Sequence, residues 1–302
     1  MSLTPARLLA PLLVLLACNS EPAKKQQHTA ANSDEAATEV TNQRIVSVGG
    51  VITETLFALG KGDAVVGVDS SSTYPKEAGE ANQVGSHHKI SVEGVMALRP
   101  TLILANSSTP PNVLKQLESV GVEVKTIEEV TAVGDVSARI RNIANAIGAS
   151  DEGETLAKTV QADIDKQLAA AAPRAVKVLF VYARGSRVLS VAGRDTAADA
   201  LITAAGFSNA AEKLTGFRPL NAEAVVAAAP DVLLMMTSGA SSLDGQGGAL
   251  ALPGISLTPA GKHSRLVEMD GLFMLGLGPR MGQAIGRLRS EVQRVMDESP
   301  VL

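Results

Sequence analysis

The 302-residue chain has no tryptophan, one cysteine, two tyrosines and five phenylalanines. A lone cysteine excludes an internal disulfide and any multi-cysteine metal site, so the question becomes where Cys18 sits. An excess of cations is also missing. With Lys+Arg 27 against Asp+Glu 31 and a net charge of −4, there is no global basic field of the kind that nucleic-acid binding uses, and nucleic acid is not an expected partner. No Walker lysine motif, nucleophile elbow or zinc-protease motif occurs. Gly276-Leu-Gly278-Pro-Arg-Met-Gly282 misses the dinucleotide spacing because Met281 stands at the third glycine position. These absences favour binding over catalysis and give no reason to expect a catalytic cofactor. What remains is a chain that is 45% hydrophobic and 19% charged, long enough for two ordinary domains with a large core.

At the start, Arg7 precedes the apolar run Leu8–Leu16, followed by Ala17 and Cys18. This is the layout of a secretory signal, and the run is far shorter than the ~20 residues a spanning helix needs. Leu15-Leu16-Ala17-Cys18 resembles the bacterial lipobox, in which the cysteine is acylated and becomes the first mature residue. The expected outcome is an exported protein, in the periplasm or at the cell surface, held on a membrane by a lipid on Cys18. Residues 1–17 are then the signal peptide. Residues 18–42 are polar and small, without a periodic apolar face, and read as a flexible tether.

Beyond the tether, short β-rich runs alternate with amphipathic helical stretches, which is the pattern of α/β architecture with parallel sheets. Strands are expected at Arg44–Val48, Ala64–Val68, Thr101–Ala105, Glu123–Ile127, Val176–Tyr182, Val188–Val191, Val232–Met236 and Arg265–Met269. Ser91–Leu104 matches Asn221–Leu234 at a constant offset of 221 − 91 = 130. Both read as cap, acid in the first turn, helix, proline stop and buried strand. An offset this long points to a duplicated lobe rather than a solenoid. Between the copies, Asp151–Ala172 spaces Leu156, Val160, Ile164 and Leu168 by four, just ahead of Pro173. This predicts one helix of roughly 30 Å. The expected organisation is an N-terminal lobe over residues 43–150, a connecting helix over 151–172 and a C-terminal lobe over 173–302, with two mainly parallel sheets and a ligand in the cleft between lobes.

An exported lipoprotein with two αβ lobes and one connecting helix resembles the substrate-binding components of bacterial ABC importers for siderophores, cobalamin and haem, the class III periplasmic binding proteins. The haemin-binding subfamily fits best, through Arg44–Glu54, Asp69–Ala78, Ala192–Ala200, Leu252–Lys262 and Met269–Arg280, and the resemblance runs from Arg44 to Leu288. It implies that Tyr74, in Ser-Thr-Tyr-Pro, is the axial ligand of haem iron. Phenolate is a hard donor suited to Fe(III), and Pro75 biases Tyr74 toward an extended backbone. His87 and His88 are candidates for a second axial nitrogen or a propionate contact. The offset aligns Arg218 with His88, since 218 − 88 = 130, so Arg218 is expected on the corresponding lip of the second lobe. Arg184, Arg194 and Lys76 are further candidates for propionate. Met236-Thr237-Ser238-Gly239 stands where relatives carry an arginine before the glycine. Tyr182 ends an apolar strand and reads as a core residue.

Glu93 and Glu223 hold equivalent places in the two copies. The resemblance implies that they dock the lobes on the two subunits of an ABC permease, which works with its ATPase subunits. First-turn acids also favour the helix dipole. The function implied is binding and delivery of ferric haem as transported ligand. The alternatives are a ferric siderophore or cobalamin receptor, the latter disfavoured by the lack of Trp, or a tetrapyrrole-processing enzyme such as a chelatase, by analogy of architecture.

Overall fold

The computed structural model describes residues 43–86, 88–119, 121–170 and 175–298. The expected signal, Cys18, the tether and His87 lie outside the described residues.

The first lobe runs β1 (Ile45–Val48), α1 (Gly50–Ala58), β2 (Val65–Val68), α2 (Lys76–Glu80), β3 (Asn82–Gln83), β4 (Gly85–Ser86), β5 (Lys89–Ile90), α3 (Val92–Ala97), β6 (Leu102–Asn106), α4 (Pro111–Glu118), β7 (Glu123–Ile127) and α5 (Val136–Ala146). After α6 (Ser150–Ala169), the second lobe runs β8 (Lys177–Arg184), β9 (Val188–Ala192), α7 (Ala197–Ala204), β10 (Ser208–Asn209), β11 (Phe217–Pro219), α8 (Ala222–Ala228) and β12 (Val232–Met236). It ends with α9 (Thr237–Ser241), α10 (Gln246–Leu250), α11 (Pro259–Lys262), β13 (Leu266–Met269), α12 (Gly271–Leu275) and α13 (Met281–Asp297).

In the first sheet the order is β3-β2-β1-β6-β7, and every pairing is parallel. Alternation along β1 and β6 sends Ile45, Leu102 and Leu104 to one face and Val46, Val48, Ile103 and Ala105 to the other, so helices cover both sides. The second sheet is ordered β11-β9-β8-β12-β13, with β10 also on β8. It is parallel except where β9 turns back antiparallel on β8 and β11 on β9. In both lobes the first strand is central and the chain winds outward first on one side, then on the other. That reversal leaves a crevice at the carboxyl ends of the strands, the usual ligand position in such sheets.

The duplicated unit is the same in detail. Ser91 caps α3 by accepting from the Gly94 N–H, and Asn221 caps α8 by accepting from the Ala224 N–H. Each helix ends on a residue at φ 46°, Arg99 and Ala229, followed by proline and a buried strand. Thr101 then accepts the Arg44 N–H at 3.0 Å and Asp231 the Lys177 N–H at 2.9 Å, tying each β6-type strand to the start of its neighbour.

The connecting helix α6 occupies Ser150–Ala169, and Ala170 already has extended backbone. It lies against α5 and α13. Gly153 meets Ala144, and Gly282 meets Asp163, positions at which an added Cβ would collide. The largest apolar core crosses the lobe boundary: Val136 and Ile140 of α5 pack with Val160 and Ile164 of α6 and with Phe180, Leu201, Ile285 and Leu288 of the second lobe. Among the described residues, no helix is long and apolar enough to cross a membrane.

Candidate functional site

The loop after β2 is built on a buried carboxylate. Asp69 accepts the Gly49 N–H at 2.9 Å and the hydroxyls of Ser71 at 2.9 Å and Ser72 at 3.1 Å. Thr53 of α1 extends the network to Ser72 and to Ser47, each at 2.7 Å. The Ser71 hydroxyl also accepts the Gly50 N–H at 2.8 Å. Gly50 is required here, because a side chain on it would strike the Ser71 carbonyl and Leu272. Buried polar groups satisfied this fully fix a loop rather than loosen it. The loop leads to Tyr74, 43% exposed and joined to Pro75 by a cis peptide bond.

One face of the Tyr74 ring is covered. The guanidinium carbon of Arg280, a second-lobe residue just before α13, lies 3.5 Å from the ring centroid and 5.0 Å from that of Phe273 in α12. Its nitrogens form a fork to Glu54, Nε donating to Oε1 at 2.8 Å and Nη2 to Oε2 at 2.7 Å. Glu54 belongs to α1, a helix buried from Gly50 to Leu56, and its side chain is only 4% exposed. A carboxylate there needs a partner, and a bidentate guanidinium is a fitting one. Beside it, Arg139 of α5 donates from Nη2 to the carbonyls of Gly276 and Leu277. Burial lowers the pKa of the Arg139 guanidinium to about 10, opposed by the carboxylates of Glu129 and Glu54. The segment 276–280 is thus gripped by the first lobe at several points.

Residues 45–271 match the model of the family described as periplasmic binding protein. The chain belongs to that family. The periplasmic heme-binding protein RhuT from Roseiflexus sp. RS-1, solved in its apo form, is 41% identical with a TM-score of 0.80, over 84% of this chain and 98% of that one. The ABC transporter substrate-binding lipoprotein YvrC of Bacillus subtilis (strain 168) is 28% identical over 87% of this chain and 83% of its own length. The vitamin B12-binding protein of Vibrio parahaemolyticus serotype O3:K6 is 26% identical over 63% of this chain and 70% of its own. This periplasmic binding protein is accordingly a substrate-binding component of the ABC transporter type, with the class III two-lobed fold.

The residues singled out in the sequence are not all brought together. Lys76 opens α2 two positions after Tyr74 and is exposed. His88 is exposed in the turn between β4 and β5, a two-stranded hairpin apart from the main sheet. Arg218 departs from the expected equivalence: it lies in β11, an edge strand of the second sheet, where its Nη1 donates to the Phe217 carbonyl at 3.0 Å. The copies match from the helix cap onward but not upstream of it. Arg184 is exposed at the tip of β8, and Arg194 is exposed beyond β9, with Thr215 3.5 Å away. Tyr182 is half-buried against the second-lobe core, its ring edge-on to Phe217 at 6.5 Å. Glu93 and Glu223 are exposed in the first turns of α3 and α8.

Two recesses lie away from Tyr74. One of about 430 Å³ adjoins Glu223, Val226 and Leu257, and one of about 490 Å³ lies between His263, Glu268 and Glu291. Tyr74 is the better candidate than either, because it combines a coordinating oxygen with a fixed base and an open side. Among the described residues, no group of three His, Cys, Asp or Glu side chains could hold a bare metal ion.

The sequence reading missed Arg280, Glu54, Phe273 and Arg139. A signal existed for three of them: Glu54 and Arg280 each end a stretch that carried the family resemblance, and Phe273 lies inside the second of those stretches.

Proposed function

We propose that this protein captures ferric haem between its lobes, with Tyr74 as axial ligand, and delivers it to an ABC permease. The observation that carries the reading is the tyrosine itself, placed at the lobe junction on an internally braced loop with one ring face occupied and 43% of its surface open. The heme-binding RhuT, 41% identical and covered over 98% of its length, supports this ligand. Lys76, His87, His88, Arg184, Arg194 and Arg218 are the candidates for propionate contacts or a second axial ligand, and all but His87 are seen to be exposed. Glu93 and Glu223 would engage the two permease subunits, and an acylated Cys18 would hold the protein on its membrane. The role is capture and release without turnover.

Cobalamin is the second reading, favoured by the vitamin B12-binding relative. Titrating the purified protein with haemin and with cyanocobalamin, followed by absorbance, separates the two. Wild type is expected to bind haemin with a phenolate-to-iron charge-transfer band that Tyr74→Phe loses, together with at least about tenfold in affinity. Binding of cobalamin but not haemin, or an unchanged haemin spectrum in Tyr74→Phe, would overturn the reading.

A further inference from the structure

We propose that Arg280 is the positioning residue for Tyr74, and that it makes the orientation of that ring depend on how the second lobe is seated against the first. The inference rests on the reading of Tyr74 as the haem ligand.

Tyr74 and Glu54 belong to the first lobe and Arg280 to the second. A single guanidinium therefore grips two first-lobe groups at once, Glu54 with its nitrogen edge and Tyr74 with its face. Its edge is fixed by the fork to a buried carboxylate, and its guanidinium carbon lies over the Tyr74 ring, 3.5 Å from the centroid, so the ring rests against a cation that is itself held in place. Among the described residues no hydrogen bond holds the Tyr74 side chain, so the stack is what orients the phenol.

Arg280 is anchored in the second lobe, because it runs directly into α13, which packs on α7 and β13. It ends the segment 276–280, whose carbonyls at Gly276 and Leu277 accept from buried Arg139 and whose glycines at 276 and 278 lie against Val51. If the lobes are drawn apart, this segment leaves with the second lobe and the Tyr74 ring loses its base. Loosening the iron ligand is then a consequence of lobe separation, which ties release of the cargo to whatever spreads the lobes. A guanidinium beside the phenol also places positive charge next to the oxygen that carries negative charge on iron, a stabilisation that separation would remove.

The test uses haem-loaded protein, its absorption spectrum, and the rate of haem transfer to excess apomyoglobin. Replacing Arg280 alone would strand Glu54, so the main variant is Glu54→Gln with Arg280→Gln, which keeps a neutral hydrogen-bonding pair. It is expected to bind haemin with a shifted charge-transfer band and to release it about tenfold faster. Arg280→Lys keeps the charge opposite Glu54 but lacks the planar face, and is expected to shift the band in the same sense. Arg139→Met touches neither ring nor iron, and is expected to speed release by about threefold while leaving the band in place. A wild-type band and release rate in a folded Arg280→Lys or double variant would overturn the positioning role. Unchanged release in Arg139→Met would overturn its dependence on lobe seating. Tyr74→Phe is run alongside: if it keeps the wild-type band, the haem reading has failed, whereas loss of the band only in Tyr74→Phe means that the inference alone has failed.

Discussion

The two lobes share a unit and differ in what surrounds it. From cap to strand, Ser91–Asn106 and Asn221–Met236 repeat each other in capping bond, left-handed terminal residue, proline and buried strand. Val95 and Val225 are the buried residues of α3 and α8, and Glu93 and Glu223 both face solvent. Upstream, the first lobe inserts the small β4–β5 hairpin, while the second places β11 on the edge of its main sheet. The first lobe supplies the tyrosine and the buried carboxylate, and the second supplies the cation and the aromatic Phe273. The conserved geometry lies in the part expected to meet a two-subunit partner, and the divergent geometry at the junction where a single asymmetric ligand would sit.

The strongest way to break this comparison is at the outer ends. The double variant Glu93→Arg, Glu223→Arg is expected to bind ligand as wild type does and to abolish stimulation of the cognate transporter's ATPase in liposomes, while each single variant loses part of it. If one single variant loses everything, the ends are not equivalent, and the recess beside Glu223 becomes the reason to look for. Next comes the seam. Arg139→Met leaves the Gly276 and Leu277 carbonyls without their donor and is expected to cost about 1–3 kcal/mol in urea unfolding at neutral pH. The sign of its pH dependence is fixed by burial, which brings the folded guanidinium down to about 10, so above that point the unfolded chain holds the extra proton. Wild-type stability relative to Arg139→Met should therefore rise as the pH is raised above about 10.

Smaller effects test the duplication itself. Ser91→Ala and Asn221→Ala should each lower stability by about 1 kcal/mol, and by amounts that agree, since each removes one capping bond of the same geometry. Arg99→Gly and Ala229→Gly should each be neutral or stabilising by up to about 1 kcal/mol, because both positions have φ 46°. Thermal melts that show a gain at one site and a loss at the other would mean that the shared backbone serves different neighbours.

Much of the architecture was legible because long buried strands carry strong patterns. Glu123–Ile127 and Val232–Met236 appear with the expected bounds, and the other six expected strands within two residues at each end. The two-residue strands β3, β4, β5 and β10 and the three-residue β11 were missed, being too short to show alternation. Tyr74 stood out as a polar-loop aromatic in an aromatic-poor chain. Arg280 did not, because its partners Tyr74 and Glu54 lie more than 200 positions away in sequence, and no local periodicity encodes a pairing at that distance. Glu54 was hidden for the opposite reason: a lone acid in an apolar helix reads as its solvent face until burial on all sides shows that it must be paired.

The Asp69 network bears on affinity as well as shape. Its hydroxyls and amides are already satisfied from within the first lobe, so an arriving molecule has no loop to fold and no internal bonds to exchange. A site built this way keeps its shape with or without a ligand, so binding energy is not spent on ordering the loop that carries it.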